Sequence, residues 1–316
     1  MFGTNIISIL ELNILAMFQG ISAIEFSKMF VDNESCYNYL IDLKWGKGYQ
    51  CSRCGNTEHM KGRTWYYRRC KKCLYDESVT ANTVFHGMKM PVLKAFHIIF
   101  RVTTKKKGMS TIELGTEVHV QQKTAWLFKR KIQSVMKDKS LLQGSVEVDE
   151  TIIGGYRAGS ENKGRSLKDK AAVVVAIETL GGDKTGNINF EVIENFKADT
   201  LEVALTDLVA PDTYIQTDKH AAYEALKEKF PITTKVSNKG EAFPEIHKQI
   251  MLFKNWLRGI HHKCSSTHLH AYLDEYKYRF NKRNMRKWIF NDIMQRLMNS
   301  EPRPYSILSA LCAYST

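Results

Sequence analysis

Val146-Glu-Val-Asp-Glu-Thr-Ile-Ile153 is the stretch on which the reading of the fold turns. Side chains alternate along a strand with a period of two. Val146 and Val148 therefore share one face, and Glu147 and Asp149 share the other. An aspartate in the middle of an apolar strand is costly unless it is paired or binds a metal. Two further β-rich runs follow, Ala171 to Glu178 and Ile188 to Glu194, with Gly181-Gly-Asp-Lys-Thr-Gly186 as the turn between them. A helix is expected over Thr200 to Leu208, and then a strand Tyr214-Ile-Gln-Thr217 that ends at Asp218. Asp218 thus closes a strand at its carboxyl end, where α/β sheets usually hold ligands.

A helix over Ala221 to Lys229, a strand Ile232 to Val236 and a long helix from Pro244 complete the unit. Three strands, helix, strand, helix, strand, helix is the order of an RNase H-like α/β layer. Taken singly, each aspartate also reads as an N-cap or a loop residue. Together, on the first and fourth strands, they imply a metal pair. The helix from Pro244 is read by angle, at ~100° per residue. Ile246, Ile250, Phe253 and Leu257 fall on one stripe, the expected buried face. His247, Lys254 and Arg258 fall on the neighbouring stripe, because their spacings are close to whole turns. One helical line carries a metal-capable imidazole and two cations.

Ahead of this unit stand two CxxC knuckles, Cys51-Ser-Arg-Cys54 and Cys70-Lys-Lys-Cys73, with fifteen residues between them. That is four-thiolate zinc spacing, in which the sulfurs converge on one tetrahedral ion at ~2.3 Å. Four unrelated buried cysteines and two disulfides are the alternatives. Cys36, Cys264 and Cys312 have no partner at metal spacing and read as ordinary half-buried thiols. The segment from Met1 lacks a basic n-region and contains Glu11, and its apolar patches are short and interrupted. Neither a signal peptide nor a membrane span is expected. Reduced thiols suit a cytoplasmic, nucleoid-associated protein.

The chain of 316 residues carries a net charge of +13, and the excess is local. Lys44 to Lys139 holds 21 Lys/Arg against 6 Asp/Glu, a net of +15. Residues 1–43 carry a net of −4, and residues 141–316 carry +2. A block this basic reads as a polyanion footprint, with a face kept basic for solubility as the plainer alternative. The first ~40 residues read as one or two short helices leading to Trp45. Between the knuckles, Arg63 to Arg69 is aromatic and basic and is expected to form strands. Trp65, Tyr66 and Tyr67 fit packing of the small module better than base stacking.

From Pro91 to Lys137 the pattern is helical. Pro91 at a first turn opens Val92 to Val102. Lys105-Lys-Lys-Gly108 is a basic linker, and Ser110-Thr-Ile-Glu113 has the form of a capping box. A short helix to about Glu117, a turn at His119 and Val120, and a longer helix from near Gln121 have the shape of a helix-turn-helix. Gln121, Gln122, Lys123 and Thr124 lead its second helix and offer donors and acceptors to base edges. Arg68 and Arg69 are available for phosphates, and Lys105, Lys106, Lys107, Lys129, Arg130 and Arg258 are further expected DNA contacts. Three short helices packed for stability alone give a similar pattern.

On these stretches the chain resembles the zinc-ribbon group of bacterial insertion-sequence DDE transposases. The resemblance runs from about Phe30 to Arg283. Its carriers are the two CxxC pairs, Val146 to Gly155, and Gln216-Thr-Asp218 with Ala222-Tyr223. They continue with His247-x-x-Ile250-x-x-x-Lys254, Arg258-Gly259 and His262, and end with Leu273-Asp-Glu-Tyr-Lys-Tyr-Arg-Phe-Asn-Lys-Arg283. The resemblance implies a catalytic domain that cuts DNA at element ends and joins them to target DNA. By position, Asp149 corresponds to the family's first catalytic aspartate and Asp218 to its second. His247 stands where many such enzymes carry Glu, and Lys254 matches the basic residue two turns on. Imidazole suits Mn²⁺ somewhat better than Mg²⁺. Glu245, Glu241 and Glu150 stay open as sources of a third carboxylate.

The expected protein is α/β, an RNase H-like catalytic domain preceded by a zinc ribbon and a helix-turn-helix domain. Its expected divisions are a helical segment 1–43, a ribbon 44–80, a helix-turn-helix 90–139, a catalytic domain 143–290 and a tail 291–316. The expected activity is two-metal phosphodiester hydrolysis and strand transfer, with structural Zn²⁺ and catalytic Mg²⁺ or Mn²⁺. Its partner is double-stranded DNA, both terminal inverted repeats and target, bound by a homo-oligomer. Three rivals stand beside it: a zinc-ribbon and helix-turn-helix regulator, a decayed transposase that binds without cutting, and a structure-selective nuclease on the same fold.

Overall fold

The computed structural model describes residues 20, 22–154, 170–182, 184–236, 242–261 and 266–308. Glu241, His262, Cys264 and Cys312 lie outside the described residues. The chain forms two compact units, Met1–Val135 with Met285–Tyr305, and Met136–Asn284 with Ser306–Thr316.

In the first unit, α1 (Ala23–Met29) and α2 (Asn33–Trp45) lead to a three-stranded antiparallel sheet of β1 (His59–Lys61), β2 (Tyr67–Cys70) and β3 (Asp76–Ser78). Asp32 and Ser35 cap α2 reciprocally, Ser35 N–H donating to Asp32 Oδ1 at 2.8 Å. Of the expected strand over Arg63 to Arg69, Tyr67 to Arg69 belong to β2, and Arg63 to Tyr66 form a turn closed by Tyr67 N–H donating to the Thr64 carbonyl at 3.1 Å. Tyr66 stacks on Tyr37 of α2 with ring centroids 4.3 Å apart, so it packs the module. Beneath it, the buried Glu77 pairs with Lys44 at 2.8 Å and fixes β3 to the end of α2.

Three helices follow, α3 (Val92–Thr104), α4 (Thr111–Glu117) and α5 (Gln122–Met136). Pro91 is the N-cap of α3 and not its first helical residue. The capping box forms as the sequence spells it: Ser110 Oγ accepts from Glu113 N–H, and the Glu113 carboxylate accepts from Ser110 N–H at 2.9 Å. His119 turns the chain at φ 52°. A Cβ on Gly115 would sit 2.9 Å from the Val120 carbonyl oxygen, so this close turn requires a glycine.

The segment expected as a tail behaves otherwise. Ile289–Asn299 is a helix, α10 by its place in the chain, that buries Ile289, Phe290, Ile293, Met294, Leu297 and Met298. The spacing of those residues is that of an amphipathic helix. Phe290 meets Phe26, Phe30, Tyr39 and Phe96 with ring centroids 5.7 to 6.2 Å apart. Buried Asn291 accepts from the Tyr39 hydroxyl at 2.6 Å. The N-terminal helices, α3 and the C-terminal helix thus share one aromatic core.

The second unit is a mixed five-stranded sheet in the order β6-β5-β4-β7-β8. Its strands are β4 (Ser145–Gly154), β5 (Lys170–Thr179), β6 (Thr185–Ile193), β7 (Tyr214–Asp218) and β8 (Ile232–Lys235). The first three run antiparallel, and β7 and β8 are parallel to β4. Every residue from Ala171 to Ile177 of β5 is buried, as a strand covered on both faces must be. One face is covered by α6 (Ala198–Leu208) and α7 (Ala221–Leu226), through Leu201, Leu205, Tyr223 and Leu226. The other is covered by α8 (Pro244–Ile260) and α9 (Ser266–Asn281), through Ile246, Ile250, Phe253, Leu269 and Leu273. This is the RNase H-like arrangement.

The C-terminal sequence motif docks α9 on the sheet. The Asn281 amide accepts from Ile188 N–H at 2.8 Å and donates to the Ile188 carbonyl at 3.0 Å, pairing with strand β6 as a neighbouring strand would. Arg283 donates to the carbonyls of Phe280 and Thr185.

Because Phe290 fills the aromatic core, Phe290→Ala should destabilise the first unit by about 3–5 kcal/mol. Gln295→Ala, on the exposed side of the same helix, should change stability by less than about 0.5 kcal/mol. Denaturant unfolding of the full chain measures both. Equal effects would mean that α10 is not integral to that core.

Candidate active site and zinc clip

Strand β4 presents two faces. Val146, Val148 and Glu150 look toward α6 and α7, and Glu147, Asp149, Thr151 and Ile153 look toward α8 and α9. The β4–β7 ladder pairs Ser145 with Tyr214, Val146 with Ile215 and Glu147 with Gln216. Continued by two residues, that register sets Asp149 beside Asp218, at the carboxyl end of β7. Across from them, α8 brings up His247, whose Nε2 lies 3.1 Å from Asp149 Oδ2. The stripe read from the helical angle is in place: Ile246, Phe253 and Leu257 are buried, Lys254 is half-buried and Arg258 is exposed.

Burial pushes the Asp149 carboxyl above its usual range, and the neighbouring Asp218 adds to the rise. His247 and the Glu150 N–H, which donates to Asp149 Oδ1 at 2.8 Å, oppose it. Asp218 Oδ1 is buried and accepts no hydrogen bond. Asp149 and the orphaned, buried Asp218 oxygen are hard donors of the kind a divalent cation takes, although with His247 they are not drawn together as tightly as the four thiolates. The Lys254 ammonium is lowered by burial and by Arg258, while Asp149 raises it.

Of the alternative carboxylates, Glu150 faces away from Asp149, and its carboxylate accepts from the buried Tyr223 hydroxyl. It therefore cannot complete a site with Asp149. Glu245 Oε1 lies 3.6 Å from Lys248 Nζ, and its charge acts on Glu147. Glu147 was not singled out by sequence as a functional residue, although the strand period sets it on the face of Asp149. Its carboxylate accepts from the Ile246 N–H at 3.2 Å, and burial raises its pKa.

In the ribbon, the four sulfurs of Cys51, Cys54, Cys70 and Cys73 lie within 4.8 Å of one another. The pairs Cys51–Cys73 and Cys54–Cys70 are 3.6 Å apart. A tetrahedron with ~2.3 Å metal–sulfur bonds has edges of about 3.8 Å, so the clip fits zinc. Among the described residues, no other group of three or more such ligands is as tight. The knuckles repeat one geometry. Gly55 and Leu74 follow the second cysteine of each at φ 73° and 57° and donate back to the first cysteine's carbonyl. Backbone N–H groups of Cys73 and Lys72 hold the Cys70 thiol down to about 6.

Residues expected to meet DNA divide in two. Lys105, Lys106, Lys107, Gln121, Gln122, Lys123 and Thr124 are exposed, and Gln122 also donates to Thr111 Oγ1 at 3.4 Å. Lys129 and Arg130 are buried, at 2% and 7% exposure. Lys129 Nζ donates to the Met109 carbonyl at 3.0 Å, and Arg130 donates to Gln133, so both serve the helical core and not a phosphate surface. Arg68 donates to the carbonyls of Trp65 and Tyr67, and Arg69 pairs with Asp76 at 3.5 Å. Among the described residues, no helix is long and apolar enough to cross a membrane.

The family model of the ISXO2-like transposase domain matches residues 141–281, and that of the transposase zinc-ribbon domain matches residues 31–76. No curated protein matches the chain. Among solved structures, the Mos1 strand transfer complex aligns at 11% identity over 70% of this chain and 77% of its own, with a TM-score of 0.32. The Mos1 transposase paired-end complex with left transposon end aligns at 10% identity over 65% and 79%, also at 0.32. Likenesses this distant add nothing to the assignment, which rests on the two domain matches. The chain belongs to the zinc-ribbon group of insertion-sequence DDE transposases.

Proposed function

We propose that this protein binds the terminal inverted repeats of an insertion sequence, cuts DNA there and joins the freed ends to target DNA. The observation that carries this reading is the convergence of Asp149, Asp218 and His247 on one face of the sheet. A regulator that only bound DNA would have no use for two aspartates gathered against an imidazole.

Bound divalent ions would activate the attacking water, and later a DNA 3′-hydroxyl, and stabilise the leaving oxygen. Asp149 and Asp218 would hold them through their carboxylates, with the orphaned Asp218 Oδ1 as one donor. His247 would supply the third ligand through its imidazole. Lys254, on the same helical stripe, holds the scissile or flanking phosphate by charge, and Arg258 extends that contact. The chain needs no side-chain nucleophile.

End recognition belongs to residues 44–139, where the net charge is +15, and chemistry to residues 143–290. Exposed Gln121 and the exposed first residues of α5, Gln122 to Thr124, read base edges from the major groove. Lys105, Lys106 and Lys107 contact phosphates and make binding steeply salt-dependent. The ribbon holds one structural zinc ion, and the protein acts as a homo-oligomer on DNA. A second reading, a transposase that binds ends but no longer cuts, is favoured by one observation: His247 stands where the family commonly has a carboxylate.

Zinc analysis of the purified protein should find the metal, and Cys54→Ser or Cys73→Ser should release it and unfold the ribbon. Metal-free protein with four freely alkylated thiols and native stability would rule out a structural clip. Asp149→Asn or Asp218→Asn should lower cleavage of a labelled element end by about a hundredfold or more while end binding stays nearly unchanged. Full cutting by either variant would move the active site elsewhere.

His247→Ala should lose most cleavage. His247→Glu should keep Mg²⁺-dependent cleavage and lose the relative preference for Mn²⁺ that an imidazole confers. An active His247→Ala enzyme beside a dead Glu245→Gln enzyme would transfer the ligand role to Glu245. Absence of cutting by the unaltered protein in either ion would favour the decayed form.

A further inference from the structure

We infer that Glu147 and Glu150, the glutamates near Asp149 on β4, are positioning residues, Glu147 holding the helix that bears His247 and Glu150 holding the segment that leaves Asp218. The inference rests on the metal site proposed above and concerns how that site is built.

Glu147 acts on α8. The first helical residue there is Pro244, which has no N–H, and the N-cap residue Phe243 supplies no side-chain acceptor. The start of the helix therefore has no local cap for its free N–H groups. Glu147, on the adjoining strand, takes that place by accepting from the Ile246 N–H at 3.2 Å. A carboxylate at a helix N-terminus is also favoured by the helix dipole. Ile246 is fully buried and directly precedes His247, so the hydrogen bond fixes the turn that sets His247 against Asp149.

Glu150 acts on α7, from the opposite face of β4. Its partner Tyr223 is fully buried, and the phenol donates to the Glu150 carboxylate. Helix α7 has only six residues and starts three residues after Asp218, capped by His220, which accepts from Ala222 N–H. So short a helix takes its position from its buried anchors, Tyr223 and Leu226. The Tyr223–Glu150 bond ties the segment leaving Asp218 to the strand residue next to Asp149. The Glu150 N–H meanwhile holds Asp149 Oδ1, while Oδ2 faces His247. One strand thus sets all three ligands.

The test is direct Mn²⁺ binding by the full-length, zinc-loaded protein, read from the electron paramagnetic resonance signal of free Mn²⁺, with zinc content and thermal unfolding checked for each variant. Glu147→Ala and Tyr223→Phe should each weaken Mn²⁺ binding about tenfold or more. Each should also raise the Mn²⁺ concentration that half-saturates cleavage more than it lowers the maximal rate. Glu147→Gln and Glu150→Gln keep an acceptor oxygen and should stay within about threefold of the unaltered protein, well short of the usual loss. Should Glu147→Ala not fold, Glu147→Asp, which withdraws the acceptor by one methylene, is expected to weaken binding in the same direction. Unaltered binding in Glu147→Ala (or Glu147→Asp) and in Tyr223→Phe, or Gln variants as weak as the others, would overturn the inference. Asp149→Asn separates the two levels. If it also binds Mn²⁺ normally, the metal site itself is wrong and the inference falls with it. If it alone loses binding, the site stands and only the positioning roles fail.

Discussion

A carboxylate taken out of water must be answered, and Asp149 sets that demand for the second unit. It sits in the middle of a strand, with the fully buried Val175 opposite it on β5 and the helix α8 over its face. An isolated ionised carboxylate in such a place would be unstable by several kcal/mol. Three things near it reduce the penalty: the Glu150 N–H, the His247 imidazole and the charge of Lys254. Asp218 works against all three, since a second negative charge nearby raises the Asp149 carboxyl further. The sheet therefore spends packing energy to keep two like charges together. A cation between them is the reading that makes that arrangement favourable.

The first unit solves a different problem, that of small modules with little core. The ribbon's apolar cluster is slight: Tyr49, Cys51 and Cys70, with Trp45 and Tyr75 against it. So small a core does not hold a sheet of three- and four-residue strands without a staple. The four sulfurs are the staple, and the pair between half-buried Lys44 and buried Glu77 fastens the module to α2. Breaking such a pair leaves one charge buried alone, so it makes the junction specific as well as firm. The helices after the ribbon gain their core from aromatic rings supplied by both ends of the described chain, Phe26 and Phe30 at one end and Phe290 at the other.

Much of the second unit was legible because its signals are local or periodic. The alternation in β4, the strand that ends at Asp218 and the stripe on α8 each follow from a repeat that a reader of sequence can count. The Ser110–Glu113 cap is spelled out in four residues. What escaped depended on long-range packing. Lys129 and Arg130 looked like surface cations by residue type, and only the tertiary structure shows Lys129 reaching back to the Met109 carbonyl. The stripe from Ile289 to Met298 was available as a helical signal, but nothing local tells that its partner is Tyr39, more than two hundred residues earlier. Glu150 reads from the sequence as one source of a third carboxylate, and it adjoins Asp149. Adjacency in a strand means opposite faces, and the same period that singled out Asp149 should have excluded it.

His247 bears on how the site is assembled as well as on which ion it takes. With a glutamate at that position, Asp149, Asp218 and the third ligand would bring three negative charges together before any ion arrived. Like charges at such separations repel strongly in a partly buried site. The His247 Nε2 lies 3.1 Å from Asp149 Oδ2, and a neutral imidazole there adds no third negative charge beside the two aspartates. The consequence runs in the other direction for the ion. In the proposed site, a ligand set with two charges instead of three would hold a hard cation less tightly, and the positive charge of Lys254 nearby would repel the cation further. In the proposed site a histidine would therefore exchange ion affinity for weaker repulsion among the ligands. Softer divalent ions, which gain more from nitrogen, regain part of what is lost.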